Sequence, residues 1–257
     1  MNNHLIQSLW VGDRLPVMQY LSVRSFLANG HAYDLYVYED LANAPEGVRL
    51  RDAREIMPVS EVFRNFSHNT FATFSDIFRY RLLSQYGGWW SDTDVICLRP
   101  FDFSEDYVFS SEHRILNGVV REVATITVMK APPASELFQK LYEASAYRDK
   151  SKLKWNEIGS DLLRSLLRDH ALQSAVQRAT TFCPIPMIGY ESVVDPTVRF
   201  VFESSTFAAH LWHELWRRKG LDVDACYPPD CFYEQLKSVL IYGASTALER
   251  SFVVEER

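Results

Sequence analysis

Two aspartates two residues apart, Asp92 and Asp94, follow the stretch Gly87-Gly88-Trp89-Trp90-Ser91, and an acidic-basic couple, Asp76 and Arg79, lies just before it. In an extended segment residues i and i+2 point the same way, so the Asp92 and Asp94 carboxylates are expected to converge. Convergent carboxylates at a strand end suit a hard divalent cation, which takes oxygen ligands and shares them with phosphates. Asp76 and Arg79, three apart, fall on one face of a helix, where Arg79 could balance the carboxylates or meet a phosphate. The glycines would end that helix and let backbone approach a ligand closely. Each piece alone also reads as a solvated acidic turn with a surface ion pair. Their joint spacing is what points to a metal site.

The elements that must hold these residues follow from periodicity. Leu5 to Val11 is a short apolar run closed by Gly12-Asp13, a buried strand and a turn. Pro16 is placed for a helix start, and a helical stripe continues to the stop at Asn29-Gly30. Leu35 to Tyr38 then reads as a strand, which makes a βαβ unit with a parallel pair. Phe74 to Tyr86 is helical, Val95 to Leu98 and Val123 to Met129 are strands, and Pro133 opens a helix reaching about Tyr147. Gly159 to Leu172 is helical again, and Phe200 to Phe202 and Phe207 to Leu211 are short buried segments. Alternating element types without a linker argue for one α/β domain with a mixed central sheet flanked by helices. Ligands of such sheets lie beyond the carboxyl ends of the strands.

Composition limits the rest. A chain of 257 residues with 47% hydrophobic and 23% charged residues can bury a sizeable core. Its 27 Lys and Arg stand against 33 Asp and Glu, a net charge of −6, which argues against a broad grip on nucleic acid. No apolar run reaches 18 residues, and Met1 to Leu5 does not resemble a signal peptide, so a cytoplasmic protein with reduced Cys97, Cys183, Cys226 and Cys231 is expected.

Ser75-Asp76-x-x-Arg79 followed by Gly87-Gly88-Trp89-Trp90-Ser91-Asp92-Thr93-Asp94 closely resembles the signature of the DXD-motif sugar-transferase family. That family includes fungal initiating mannosyltransferases, animal α-1,4-galactosyl- and α-1,4-N-acetylglucosaminyltransferases, bacterial capsule and lipopolysaccharide transferases, and clostridial toxin glucosyltransferase domains. The resemblance implies a GT-A fold, a single Rossmann-like domain over residues 1–257 with a nucleotide-binding half at about 1–100 and an acceptor half at about 101–257. It also implies a nucleotide-sugar donor, UDP-linked by family frequency, a divalent cation (Mn2+ or Mg2+) and retention of anomeric configuration.

Residues carry over position by position. Asp92 and Asp94 would hold the metal, with Asp92 also reaching ribose or sugar; Asp76 and Arg79 would orient the donor. Leu9-Trp10-Val11-Gly12 resembles the family's first strand, whose tryptophan stacks on the base, although Trp10 could equally be a core ring. His210-Leu211-Trp212-His213-Glu214-Leu215-Trp216 resembles the family's His-x-Trp-x-x-x-Trp ending, which would make His210 a third metal ligand and Trp212 and Trp216 covers over the diphosphate. The alternative for His210 is a structural histidine in an amphipathic helix. Asn117-Gly118 resembles a step that lines the donor sugar. Asp161, after Gly159-Ser160, would position the acceptor or stabilise the β face, or would simply be a carboxylate favoured at a helix start. Trp90 and Ser160 replace the family's tyrosine and proline.

The implied partners are a nucleotide-sugar and a glycan or lipid-linked glycan acceptor of bacterial surface polysaccharide synthesis. Leu215-Trp216-Arg217-Arg218-Lys219 is a candidate peripheral membrane contact at the inner face, or a solvated helix end. Two other readings stand beside this one: a non-catalytic nucleotide- or carbohydrate-binding relative, and a toxin-like protein glycosyltransferase.

Overall fold

A computed structural model describes residues 4–243 and the backbone of a short strand at Val254–Glu255. The chain opens with β1 (Leu5–Trp10), α1 (Val17–Ala28) and β2 (Ala32–Val37), and β1 and β2 run parallel, as the βαβ reading requires. Next come β3 (Arg49–Asp52), α2 (Ala72–Tyr86), β4 (Gly88–Ser91) and β5 (Val95–Cys97). A long hairpin of β6 (Val108–Leu116) and β7 (Val119–Ala131) leads to α3 (Glu136–Ala146) and α4 (Ser160–Asp169). The last part holds α5 (Ala179–Phe182), β8 (Phe202–Glu203), β9 (Ala208–His210), α6 (His213–Lys219), α7 (Phe232–Leu240) and β10 (Val254–Glu255).

Six strands form the central sheet in the order β3-β2-β1-β4-β7-β6. β3, β2, β1 and β4 are mutually parallel, while β7 is antiparallel to both β4 and β6. The mixed α/β class expected from the sequence is therefore present. The chain winds outward from β1 in both directions, to β2 on one side and β4 on the other. Such a switch point leaves a crevice beyond the carboxyl ends of the two strands.

β4 is short and central, and the reasons lie in its residues. Trp89 and Trp90 are consecutive, so they point to opposite faces of the sheet, and both are fully buried. Trp89 packs with Phe26, Phe101 and Phe182, and Trp90 with Phe74, Phe78 and Met129, which anchors one core on each face. Gln7, buried in β1, donates through Nε2 to the carbonyls of Gly87 and Trp89, at 2.8 and 3.3 Å. Gly87 takes φ 62°, and a Cβ there would fall 2.4 Å from the nitrogen of Pro133. Glycine is thus required both to end α2 and to let the chain pass the backbone of residues 131–133.

Several expectations need correction. The glycines end α2 as expected, and Gly88 onward is a central strand. β3 and β6 carry no clean alternation, and α7 is a further element outside the expected set although Phe232, Leu236 and Leu240 recur at helical spacing. Pro133 does not open α3, which starts at Glu136 behind Ser135, whose Oγ accepts from the Phe138 N–H. β5 leaves the central sheet and pairs antiparallel with β9, so His210 ends a strand rather than lying in an amphipathic helix. Asp92 to Asp94 form a turn, closed by the Val95 N–H donating to the Asp92 carbonyl at 3.3 Å, rather than an extended segment. Cys97, Cys183, Cys226 and Cys231 form no disulfide among the described residues. Among the described residues no helix is long and apolar enough to cross a membrane.

Candidate active site

A pocket of about 690 Å³ opens at the switch point, within the usual range for small-ligand sites. Trp10 and Val11 at the end of β1 form one side, and Asp92, Thr93 and Asp94 beyond β4 form the floor. The turn holding the two aspartates is fixed at both ends. The Asp92 N–H donates to the Thr127 carbonyl at 2.9 Å, and the Asp94 carbonyl accepts from the Leu211 N–H at 2.9 Å.

Arg79 is the hinge of the acidic cluster. It is almost wholly buried and bridges Asp76 (3.3 Å) and Asp92 (2.8 Å). Its Nε donates to the Ser75 carbonyl, Nη1 to the Ile126 carbonyl and Nη2 to Ser75 Oγ, while the guanidinium lies 4.7 Å from the Trp90 ring centroid. Its donors are thus committed to carboxylate, carbonyl and hydroxyl oxygens of the protein. Trp90 Nε1 donates to Asp92 Oδ1 at 3.0 Å, completing that anchor.

Asp94 Oδ2 accepts from His210 Nε2 at 3.1 Å and from the His213 N–H at 2.9 Å. Burial alone would raise every carboxyl here. At Asp94 the His210 and His213 contacts overcome it and hold the group well below the usual range. At Asp92 burial prevails over Arg79, with repulsion from Asp94 adding to it, and the group is raised. Asp76 is pushed up to about 7, by burial first and by Asp92 as well, against the pull of Arg79. His210, though burial disfavours its charge, is raised well above its ordinary value by Asp94.

The donor set decides how a metal could be held. Asp92 Oδ2 and Asp94 Oδ1 accept no hydrogen bond among the described residues, and both side chains line the pocket. Two carboxylate oxygens with phosphate and water completing the shell suit a small divalent cation. Among the described residues no group of three or more His, Cys, Asp and Glu is arranged to hold a metal by itself. His210 Nε2 lies 3.1 Å from Asp94 Oδ2, and its Nδ1 is buried.

Trp212 covers the site from the far side. It adopts φ 61°, a costly value for an aromatic residue, with its ring centroid 4.1 Å from that of His210 and Nε1 donating to the Ile185 carbonyl. Of the residues expected at the site, Trp10, Asp76, Arg79, Trp90, Asp92, Asp94, His210 and Trp212 all line this pocket. Asn117, Asp161 and Trp216 do not. Asn117 occupies the exposed turn of the β6–β7 hairpin. Asp161 is half exposed in the first turn of α4 and pairs with Arg164. Trp216 is fully buried against Tyr227 and Tyr233, so the Leu215 to Lys219 segment offers no aromatic membrane contact. Arg217 and Arg218 both bond to Glu214.

Residues not anticipated complete the wall. Thr125, Thr127 and Ser160 line the pocket, with their hydroxyl oxygens linked at 3.3 and 3.2 Å. The alternation of polar and apolar residues from Ala124 to Val128 was the available signal for that face. Gln19, buried on α1, also lines the pocket and has no partner for Oε1.

Residues 19–115 match the family described as "Glycosyltransferase sugar-binding region containing DXD motif". That span contains Asp76, Arg79, Asp92 and Asp94. No curated protein matches the sequence. Among solved structures the chain is similar to one titled "PaToxG Glycosyltransferase", at 15% identity and a TM-score of 0.49, with 65% of this chain and 69% of that chain covered.

Proposed function

We propose that this chain, whose residues 19–115 match the DXD-containing glycosyltransferase region, moves a hexose from a UDP-sugar to a glycan or lipid-linked glycan acceptor of surface polysaccharide, with a divalent cation and with retention. The observation that supports this most directly is the Asp92-Thr93-Asp94 turn at the switch point, with two uncommitted carboxylate oxygens facing a pocket walled by Trp10.

Each residue has a stated task. Trp10 supports the base by stacking. A divalent cation held by Asp92 and Asp94, Mn2+ or Mg2+, would neutralise charge developing on the departing diphosphate. Arg79 keeps Asp92 and Asp76 in place, and His210 does the same for Asp94. Asp76, with Thr125, Thr127 and Ser160, meets sugar hydroxyls. Trp212 excludes water, which favours transfer over hydrolysis. The acceptor hydroxyl attacks the anomeric carbon from the side the diphosphate leaves; the new glycosidic C–O bond forms, the old C–O bond breaks, and the departing phosphate oxygen takes the proton.

Isothermal titration of UDP and GDP, with manganese and with chelator, tests the reading. UDP is expected to bind with manganese and to lose at least about tenfold in affinity with chelator or in Asp94→Asn. A folded protein that binds neither nucleotide would sink the donor assignment, and manganese-dependent binding of GDP alone would replace UDP with GDP.

A further inference from the structure

The β6–β7 hairpin projects beyond the fold. Every residue from Ile115 to Glu122 is exposed, whereas Ser111 and Ala124 at its root are buried. Four apolar side chains stand at its tip in two cross-strand pairs, Leu116 with Val119 and Ile115 with Val120. Their exposures are 43, 50, 54 and 62% for Leu116, Val119, Ile115 and Val120. Strand alternation sends the two pairs to opposite faces, so the tip is apolar on both sides and packs on no core among the described residues. Apolar surface concentrated in this way marks an interaction site.

The next rung identifies the partner's chemistry. Arg114 stands directly opposite Arg121 in the register. Like charges placed so destabilise a sheet unless an anion lies nearby. Arg114 pairs with Glu112, but Arg121 has no ion pair or hydrogen bond among the described residues. The carboxylates lie farther back, with Glu122 opposite His113 one rung on and Glu112 beyond it. At about 3.3 Å per residue the apolar tip is roughly 7 Å deep, then come the arginines, then the acids. An anionic bilayer surface has the matching order: apolar side chains bury about 5–10 Å into the headgroup boundary, and arginines reach back to phosphates.

We propose that the β6–β7 hairpin tip, Ile115, Leu116, Val119 and Val120 with Arg121 behind them, docks the protein on an anionic lipid surface. Tip-to-tip contact between two copies would gather four arginines, which disfavours a second copy as the occupant. The docking does not depend on the catalytic reading. It does bear on it, because Glu112 and Arg114 at the root of the same hairpin line the pocket, so a docked tip holds the pocket near the headgroups.

Sedimentation of the full chain with vesicles tests this. The protein is expected to pellet with vesicles of phosphatidylcholine and phosphatidylglycerol in equal parts, and far less with phosphatidylcholine alone. Serine at all four tip positions lowers partitioning at least about tenfold. Arg121→Ser lowers it about fivefold on the anionic vesicles and leaves the neutral ones unchanged. Thermal melting confirms that the variants fold, and the milder pair Ile115→Ser and Val120→Ser replaces the quadruple variant if that one does not. Absence of wild-type binding to the anionic vesicles, or binding that the folded tip variants retain in full, overturns the proposal. So does a dimer in light scattering that the tip variants abolish, which would assign the tip to a second copy.

Discussion

Arg79 shows how much of this site depends on one buried cation. Its guanidinium bridges Asp76 and Asp92, three carbonyl or hydroxyl oxygens surround it, and Trp90 stacks beneath it. A lysine keeps the charge but cannot reproduce the planar fork. Arg79→Lys is therefore expected to weaken manganese-dependent UDP binding about tenfold or more by titration, because Asp92 loses its orientation. Were Arg79 instead a direct phosphate contact, lysine would preserve most of that binding. At this scale the sequence was informative about residue types and less so about roles. Asp76 and Arg79 were legible as helix neighbours, and the Asp92-Asp94 pair as a cluster. The partnership of His210 with Asp94 spans 116 positions, and no local pattern reports it.

Elements explain the remaining differences. Asn117-Gly118 between apolar pairs is a strong hairpin signal, since both residues must take positive φ, and here they do, at 52° and 76°. Turn geometry alone accounts for those residues, and they lie outside the pocket lining. Trp212 and Trp216 lie four apart, but Trp212 sits at the left-handed cap of α6 and faces the pocket, while Trp216 sits a turn inside the helix and faces the core. Equal spacing thus produced one site residue and one core residue. β4 escaped notice because four residues beginning with glycine carry too short a pattern for any period to show. The α2–β4 corner just before it carries a test. Gly87→Ala meets both a positive φ and backbone at 2.4 Å, so unfolding in denaturant should reveal a loss of more than about 1 kcal/mol. A neutral result would mean that the α2–β4 corner relaxes at little cost.

Across the whole molecule, the acidic cluster links stability to pH. Asp76 is raised to about 7 in the folded protein, above its ordinary value, so the folded state holds a proton that the unfolded chain releases from about pH 4 upward. Its stabilising contribution is complete below that range and is lost as pH rises through about 7. In chelator, the melting temperature should fall between pH 5 and pH 8, and Asp76→Asn should flatten that fall and leave the variant more stable than wild type at pH 8. On the proposed donor role of Asp76, the same variant should also bind donor less well, a stabilised site that gives up function. A wild-type profile that does not fall would remove Asp76 as a buried, strained acid.

The β5–β9 pairing has a consequence in time. Asp94 is translated more than a hundred residues before His210, and its carbonyl and carboxylate are both held by the segment from His210 to His213. A ribosome that has released only residues 1–115 has made both aspartates and Trp10 but none of the segment from His210 to His213 that holds Asp94. Donor turnover should therefore switch on late in synthesis, after α6 has emerged, and a nascent chain would not spend activated sugar on water before it could use an acceptor.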